Sequence, residues 1–231
     1  MLAFPTTRWS VVLHAAGFDA ERGAMSEFCA AYWLPVYAFI RSKEHDAEQA
    51  RDLTQAFFLR LLEKHDFLPA HPRHTRFRSF LLASVQHFLS NERDRARALK
   101  RGGRSVPFPL DFDRGARRWE PVDSLTPERC FEREWAATVL DRTLQALRVE
   151  WETRAKQRQF DALKDCLVDE RSETYEQIGK TLDMTAGAVK AAVHRLRRRF
   201  CELLRSQIGT TVADPADVDD ELRYLFSVLS S

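Results

Sequence analysis

Residues 174–200 read TYEQIGKTLDMTAGAVKAAVHRLRRRF, and their chemistry narrows what this part of the chain can fold into. Thr174 is placed to N-cap a helix, and Gln177 three residues on completes a capping box. Ile178 and Leu182 share one face at i, i+4 spacing. Gly179 between them has no Cβ, so a second helix can approach closely there. Asp183-Met184 makes the turn, because Asp accepts a left-handed backbone more readily than most residues. Thr185 caps the helix that follows. In that helix Val189, Val193, Leu196 and Phe200 repeat as a buried stripe. Lys190, His194, Arg195, Arg197, Arg198 and Arg199 occupy the rest of its surface. The pattern predicts a helix-turn-helix whose second helix carries groups that reach phosphates and base edges in a major groove. The plainer alternative is a surface hairpin with a solvated basic face, which is what most charge runs mean. Here both caps, the turn and both apolar stripes agree on the first reading.

Bulk properties permit this and exclude other classes. The 231 residues suffice for one large or two small domains, and 44% hydrophobic with 30% charged residues allows both a core and solubility. The net charge of +2 predicts no nucleic-acid binding by itself. Its distribution is more telling. Positions 91–104 and 190–205 each carry six Arg or Lys, whereas Asp214 to Glu221 holds five acids and no base. The four cysteines (Cys29, Cys130, Cys166 and Cys201) have neither zinc-ligand spacing nor the density of a disulfide framework. They read as small buried residues in a reducing compartment. Without a signal-like opening or a membrane-length apolar run, the expectation is a cytoplasmic protein that does not enter a membrane.

Helical patterns dominate the rest of the chain. Thr7 is placed to cap a helix containing Trp9, Val12 and Leu13. Further helices are expected over about Met25–Arg41, Asp46–Lys64 and Arg76–Lys100, with Pro69 and Pro72 breaking the chain between the last two. Residues 102–127 hold Gly102, Gly103 and four prolines without a sustained period, and read as a linker. Helices resume at Pro127–Glu128, with Trp135, Val139, Leu140, Leu144 and Leu147 on one face, and again over Phe160–Leu167. Asp214-Pro215 starts a terminal helix. Its expected apolar stripe is Val218, Leu222, Leu225, Phe226 and Leu229. That helix reads first as docked on the preceding domain, and second as a regulatory element. The fold expected is all-α: two small helical domains joined by a flexible linker, plus a C-terminal amphipathic helix. The boundaries are 1–101, 102–127 (linker), 128–210 and 211–231.

Two features of the first module bear on function. In DLTQAFF, Leu53 and Phe57 point to a core, while Asp52, Gln55 and Phe58 project elsewhere, a mixed face that suits a protein partner and equally an ordinary amphipathic helix. In residues 77–104, basic groups are mixed with Phe77, Phe80 and Phe88. Basic side chains hold phosphates and aromatic faces stack on unpaired bases. The spacing of Phe80 and Phe88 suits a core, which leaves the basic end as the better nucleic-acid candidate. No Walker loop, HExxH or GxSxG is present, and no acid has a marked catalytic partner, so no enzyme activity is expected.

The order of DLTQAFFLRLLEK, FRSFLLASVQHFLSNERDRARALKRGG, a linker and VKAAVHRLRRRF resembles the bacterial extracytoplasmic-function (ECF) sigma factors, over about residues 1–210. The resemblance implies sigma domain 2 at 1–101 and sigma domain 4 at 128–210. It implies a chain that binds core RNA polymerase, through the β′ clamp and the β subunit, and directs promoter-specific initiation. Asp52, Gln55 and Phe58 match the polymerase-binding positions. Arg78, His87, Asn91, Arg93, Arg95, Arg97, Lys100 and Arg101 fall in the stretch that recognises and melts the −10 element. Thr185, Gly187, Lys190, Ala191, His194, Arg195 and Arg198 match the positions that read the −35 element. Partners implied are promoter DNA, both duplex and melted, and an anti-sigma factor or other regulator. No cofactor or metal is implied, and the location is the cytoplasm, on the nucleoid when in holoenzyme.

The chain departs from the family at His87 and Asn91, where Asn and Asp are frequent, and at Asp183, where Gly is common. It also has Ala188, Ala191 and Ala192 where polar residues are common, which shifts −35 readout toward shape and phosphate contacts. The terminal helix lies beyond the family's usual end. Two other readings stay open: a helix-turn-helix regulator that is not a sigma subunit, and an adaptor that mimics sigma and sequesters polymerase.

Overall fold

The computed structural model describes residues 22–63, 76–98, 124–167 and 174–230. The expected first helix around Trp9, the Pro69–Pro72 break and nearly all of the expected linker lie outside these residues. Among the described residues there are eight α-helices and no strand. They are α1 (Arg22–Arg41), α2 (Ala47–Glu63), α3 (Phe77–Ala98), α4 (Pro127–Thr153), α5 (Gln157–Leu163), α6 (Tyr175–Leu182), α7 (Ala186–Gly209) and α8 (Val218–Leu229). Short 3₁₀ turns follow α5, over Lys164–Leu167, and precede α8, over Pro215–Asp217. No described helix is long and apolar enough to cross a membrane.

Local signals set the helix starts. The Asp46 carboxylate accepts from the Gln49 amide at 2.8 Å and caps α2. Thr126 accepts from the Arg129 amide at the start of α4, and Pro127 takes the first helical position, where its missing N–H costs nothing. Asp214 accepts from the Ala216 amide ahead of Pro215, the start expected from the sequence.

The chain forms two compact units, Met1–Thr138 with Ile208–Ser231, and Val139–Gln207. This division differs from the sequence modules. The terminal helix belongs to the unit that holds α1–α3, and the helix-turn-helix unit lies between the two parts of the other in sequence.

Aromatic rings fill the core of the first unit. Trp33 stacks on Phe58 at 6.0 Å between ring centres, and Phe57 meets Phe88 edge-on at 5.6 Å. Phe77 lies between Tyr32 and Phe80, at 5.0 and 5.8 Å. Phe77, Phe80 and Phe88 are all buried, so they serve packing and not base stacking. Glu128 of α4 accepts from Lys43 at 3.4 Å and from Gln86 of α3 at 3.2 Å. The Phe77 amide, which opens α3 and has no acceptor within its own helix, donates to the Thr211 carbonyl at 3.0 Å. In the second unit Leu147, Phe160, Leu163, Cys166, Ile178, Val189, Ala192, Val193 and Leu196 form one buried cluster, with Leu182, Met184 and Phe200 packed against it.

Candidate nucleic-acid interface

The helix-turn-helix takes the geometry its residues dictate. Thr174 Oγ1 accepts from the Gln177 amide, and Gln177 Oε1 accepts from the Thr174 amide at 3.0 Å, so the capping box is complete. Asp183 adopts φ 55°, ψ 48°, the left-handed conformation that ends α6. The Met184 amide then donates to the Gly179 carbonyl at 2.8 Å. A Cβ at Gly179 would stand 2.5 Å from the Met184 carbonyl oxygen, so the close approach requires glycine here. Thr185 Oγ1 accepts from the Ala188 amide at 3.2 Å and caps α7.

From this start α7 turns one side to the core and the other to solvent. Val189, Val193 and Leu196 are buried and Phe200 is partly so. Thr185, Gly187, Lys190, Ala191, His194, Arg195 and Arg198, the expected −35 residues, are all exposed. From Gly187 to Arg198 they form two adjacent rows at i, i+4, i+8 spacing, so they share one face. Among the described residues Lys190, His194 and Arg195 make no ion pair. Arg198 pairs with Glu202 at 3.1 Å, but its side chain is 75% exposed and the pair is open to solvent.

Two other arginines of this basic run are committed to the fold. Arg197 donates from Nε and Nη2 to the Cys166 carbonyl, at 2.9 and 2.7 Å, satisfying an acceptor in the 3₁₀ turn after α5. Arg199 grips Glu150 of α4 through both carboxylate oxygens, at 2.6 and 2.8 Å, and also reaches Glu202 at 2.9 Å. The hydrogen bond from Arg199, with its positive charge, holds the Glu150 carboxyl below the usual glutamate range. A clamp with two parallel donors fixes direction as well as distance, so these residues orient α7. The sequence reading missed Glu150. Its one signal was an acid in a helix facing an Arg-rich one.

The residues expected to bind polymerase divide. Asp52 is exposed and Gln55 is half-buried, three positions apart on α2. Phe58 does not project. It is 0% exposed, packed against Trp33 and Phe57. The correction follows from helix geometry, since Leu61, Phe57 and Phe58 all turn to the same aromatic core while Leu53 is only half-buried.

The expected −10 residues divide as well. His87, Arg93 and Arg95 are exposed on α3 and Asn91 is half-buried. Arg95 pairs with Glu92 at 2.7 Å. Arg97 lies within α3, but its side chain, like Lys100 and Arg101 entirely, is outside the described residues. Arg78 is overturned as a surface contact. It is only 8% exposed. Its Nε donates to Glu221 Oε1 at 2.7 Å, and Glu221, on α8, is 0% exposed. The guanidinium also lies 3.7 Å from the Tyr224 ring centre and 5.4 Å from that of Trp135. Glu132, which accepts from the Tyr224 hydroxyl, stands 3.8 Å from Arg78 Nη1. The signal for this in the sequence was Glu221 itself. It shares a helical face with Val218, Leu225 and Val228, and an acid inside an apolar stripe needs a buried partner.

Comparison with protein-family models, with curated proteins and with solved structures gave no match to this chain.

Proposed function

We propose that the protein is a sigma factor of the ECF type, a subunit that binds core RNA polymerase and directs it to promoters. The observation that carries this is the exposed face of α7. A capped helix-turn-helix presents Lys190, His194, Arg195 and Arg198 to solvent, while Arg197 and Arg199 anchor the helix behind them. Such a face suits a DNA major groove, with arginine and lysine on phosphates or guanine edges. The alanine and glycine positions Gly187, Ala191 and Ala188 let the helix sit close to the groove floor, so contacts to phosphate and to DNA shape carry much of the −35 readout.

The other unit supplies two more surfaces under this reading. Asp52 and Gln55 form the polymerase contact on α2. His87, Asn91, Arg93 and Arg95 face the −10 strand from α3. This separates the sigma reading from a plain helix-turn-helix regulator, which leaves the α2 and α3 faces without a role.

Run-off transcription with purified core polymerase tests it. A sigma factor yields specific starts from the chain and core enzyme alone. Transcription that starts only when another sigma is added identifies a regulator, and inhibition without starts identifies a sequestering adaptor. Either result removes the sigma reading.

A further inference from the structure

Apolar side chains scattered singly over a surface are ordinary, but on α8 they are grouped. Among the described residues the exposed large apolar side chains are Val149, Phe226 and Leu229, and the last two stand one turn apart on this helix, 52% and 40% exposed. Leu222, half-buried, precedes Phe226 by another turn. At about 100° per residue the three lie within about 60° of the helix circumference, so they make one stripe. Val218, Leu225 and Val228 make a second, which is buried in the first unit. A helix that packs on one side only has no use for two apolar stripes.

Polar contacts fix which stripe goes inward. Glu221 lies on the buried side, where its carboxylate accepts from Arg78 Nε at 2.7 Å and stands 3.3 Å from Arg76 Nε. The Tyr224 hydroxyl donates to Glu132, and the Tyr224 ring centre lies 3.7 Å from the Arg78 guanidinium. Rotating α8 to bury Phe226 and Leu229 would take Glu221 away from Arg78 and leave a buried cation without its carboxylate. The outward stripe is therefore held in place by the fold, and a partner that covers it has little ordering to impose.

Charge beside the stripe identifies the kind of partner. Asp214, Asp217, Asp219 and Asp220 are exposed or half-buried, and Arg223, which pairs with Asp220, is the one base from Asp214 to the end of the chain. Acids in a first helical turn also suit the helix dipole, so their charge alone marks no site; an apolar stripe beside them does. The acidic border repels nucleic acid and anionic lipid, and it would oppose like charges if a second copy docked face to face. It suits an amphipathic protein helix with apolar side chains at i, i+4, i+7 and lysines or arginines alongside.

We infer that Leu222, Phe226 and Leu229 form a docking surface for a basic amphipathic helix of another protein, with the aspartates of residues 214–220 set against its cations. The inference stands apart from the sigma reading, none of whose surfaces includes α8.

The test uses the full chain and three labelled peptides of about 18 residues, long enough for about five helical turns. The first carries leucines on one helical face and lysines elsewhere. The second has glutamate in place of lysine. The third has the composition of the first with its leucines spread around the helix. The first peptide is expected to bind saturably, one per chain, and the other two at least about tenfold more weakly. Phe226→Ser should weaken the first peptide about tenfold, the scale of a central apolar anchor. Asp219→Asn with Asp220→Asn should reduce the salt dependence of that binding. Equal binding of the three peptides, or an affinity that a folded Phe226→Ser chain retains, overturns the inference; if that variant fails to fold, Leu229→Ser takes its place. Sedimentation equilibrium covers self-association: a dimer that Phe226→Ser dissolves makes the stripe an interface between copies and overturns the basic partner. Co-sedimentation with phosphatidylcholine vesicles that the same variant abolishes overturns it in favour of a lipid contact.

Discussion

One missing methyl group governs the turn between α6 and α7. At Gly179 an added Cβ would meet the Met184 carbonyl oxygen at 2.5 Å and Val189 Cγ2 at 3.7 Å. The first of these is backbone, so relief requires the turn itself to move. Gly179→Ala is therefore expected to destabilise the helix-turn-helix unit by about 1–3 kcal/mol, the usual cost of overpacking. Urea unfolding measures this, and an unchanged midpoint would contradict the crowding. The arginines of α7 invite a second comparison at this scale. Arg198 is mostly exposed, while Arg199 is held by Glu150 and Glu202. If Arg198 holds a phosphate of duplex DNA, Arg198→Ala lowers the salt slope of promoter binding by about 0.9. Arg199→Ala leaves the slope nearly unchanged and weakens binding through the helix it orients. Equal slope changes would show that the two share one role.

At the scale of helices, α8 and the α4–α7 clamp each give a measurable contrast. On α8, Leu225 is fully buried and Phe226 is half exposed. Leu225→Ala should cost about 2–5 kcal/mol, whereas Phe226→Ser should stay within about 0.5 kcal/mol. Thermal unfolding of the two variants separates the observed stripe from the one the apolar periodicity suggests. The clamp has a pH signature. Glu150 is held below its usual range by the hydrogen bond from Arg199, so its folded value lies below its unfolded one. Its contribution is fully present above the ordinary glutamate range and is lost as the pH falls through the lower, folded value. Glu150→Gln should flatten the acid limb of the stability curve of this unit; an acid limb of undiminished steepness would place the effect elsewhere. The size is modest, because the Arg199 side chain is more than a third exposed and solvent screens the pair.

These elements also show where sequence carries structure and where it does not. The helix-turn-helix was legible because its caps, its left-handed Asp183 and its glycine act over a few residues, and local chemistry decides them. The start of α8 at Asp214-Pro215 was legible for the same reason. Which side of α8 is buried was not. Counting apolar residues gives Val218, Leu222, Leu225, Phe226 and Leu229, of which Val218 and Leu225 are buried but Phe226 and Leu229 are exposed; the buried side also takes Glu221, paired with Arg78 143 residues away in sequence. The same long-range pairing hid Arg78 from a reading that placed it on DNA. Phe58 was misplaced by a smaller margin, since an aromatic core wider than one helical stripe took both Phe57 and Phe58.

For the whole molecule, the four cysteines sample both units in one experiment. Cys29, Cys130 and Cys166 are buried and Cys201 is exposed. Burial pushes the Cys29 thiol up to about 11, so it offers almost no thiolate at neutral pH. A maleimide should label Cys201 rapidly in the native protein and the other three only as their units open. Fast labelling of two or more native thiols would mean that a core is looser than described. Charge is also distributed at this scale. The small net charge of +2 conceals an acidic segment spent partly on Arg76 and Arg78 and a basic helix α7 whose Arg198 and Arg199 are paired with acids of their own unit.

The sequence order of the two units has a consequence for synthesis. The helix-turn-helix unit is complete once the ribosome has passed Gln207, but the start of α3 still lacks the Thr211 carbonyl and Glu221. At about 5–20 residues per second, the nascent α1–α3 region waits several seconds while the intervening unit is made. A chain cut short in that interval lacks the acceptor of the Phe77 amide and the carboxylate that pairs with Arg78, so the start of α3 is completed only by residues made after the intervening unit.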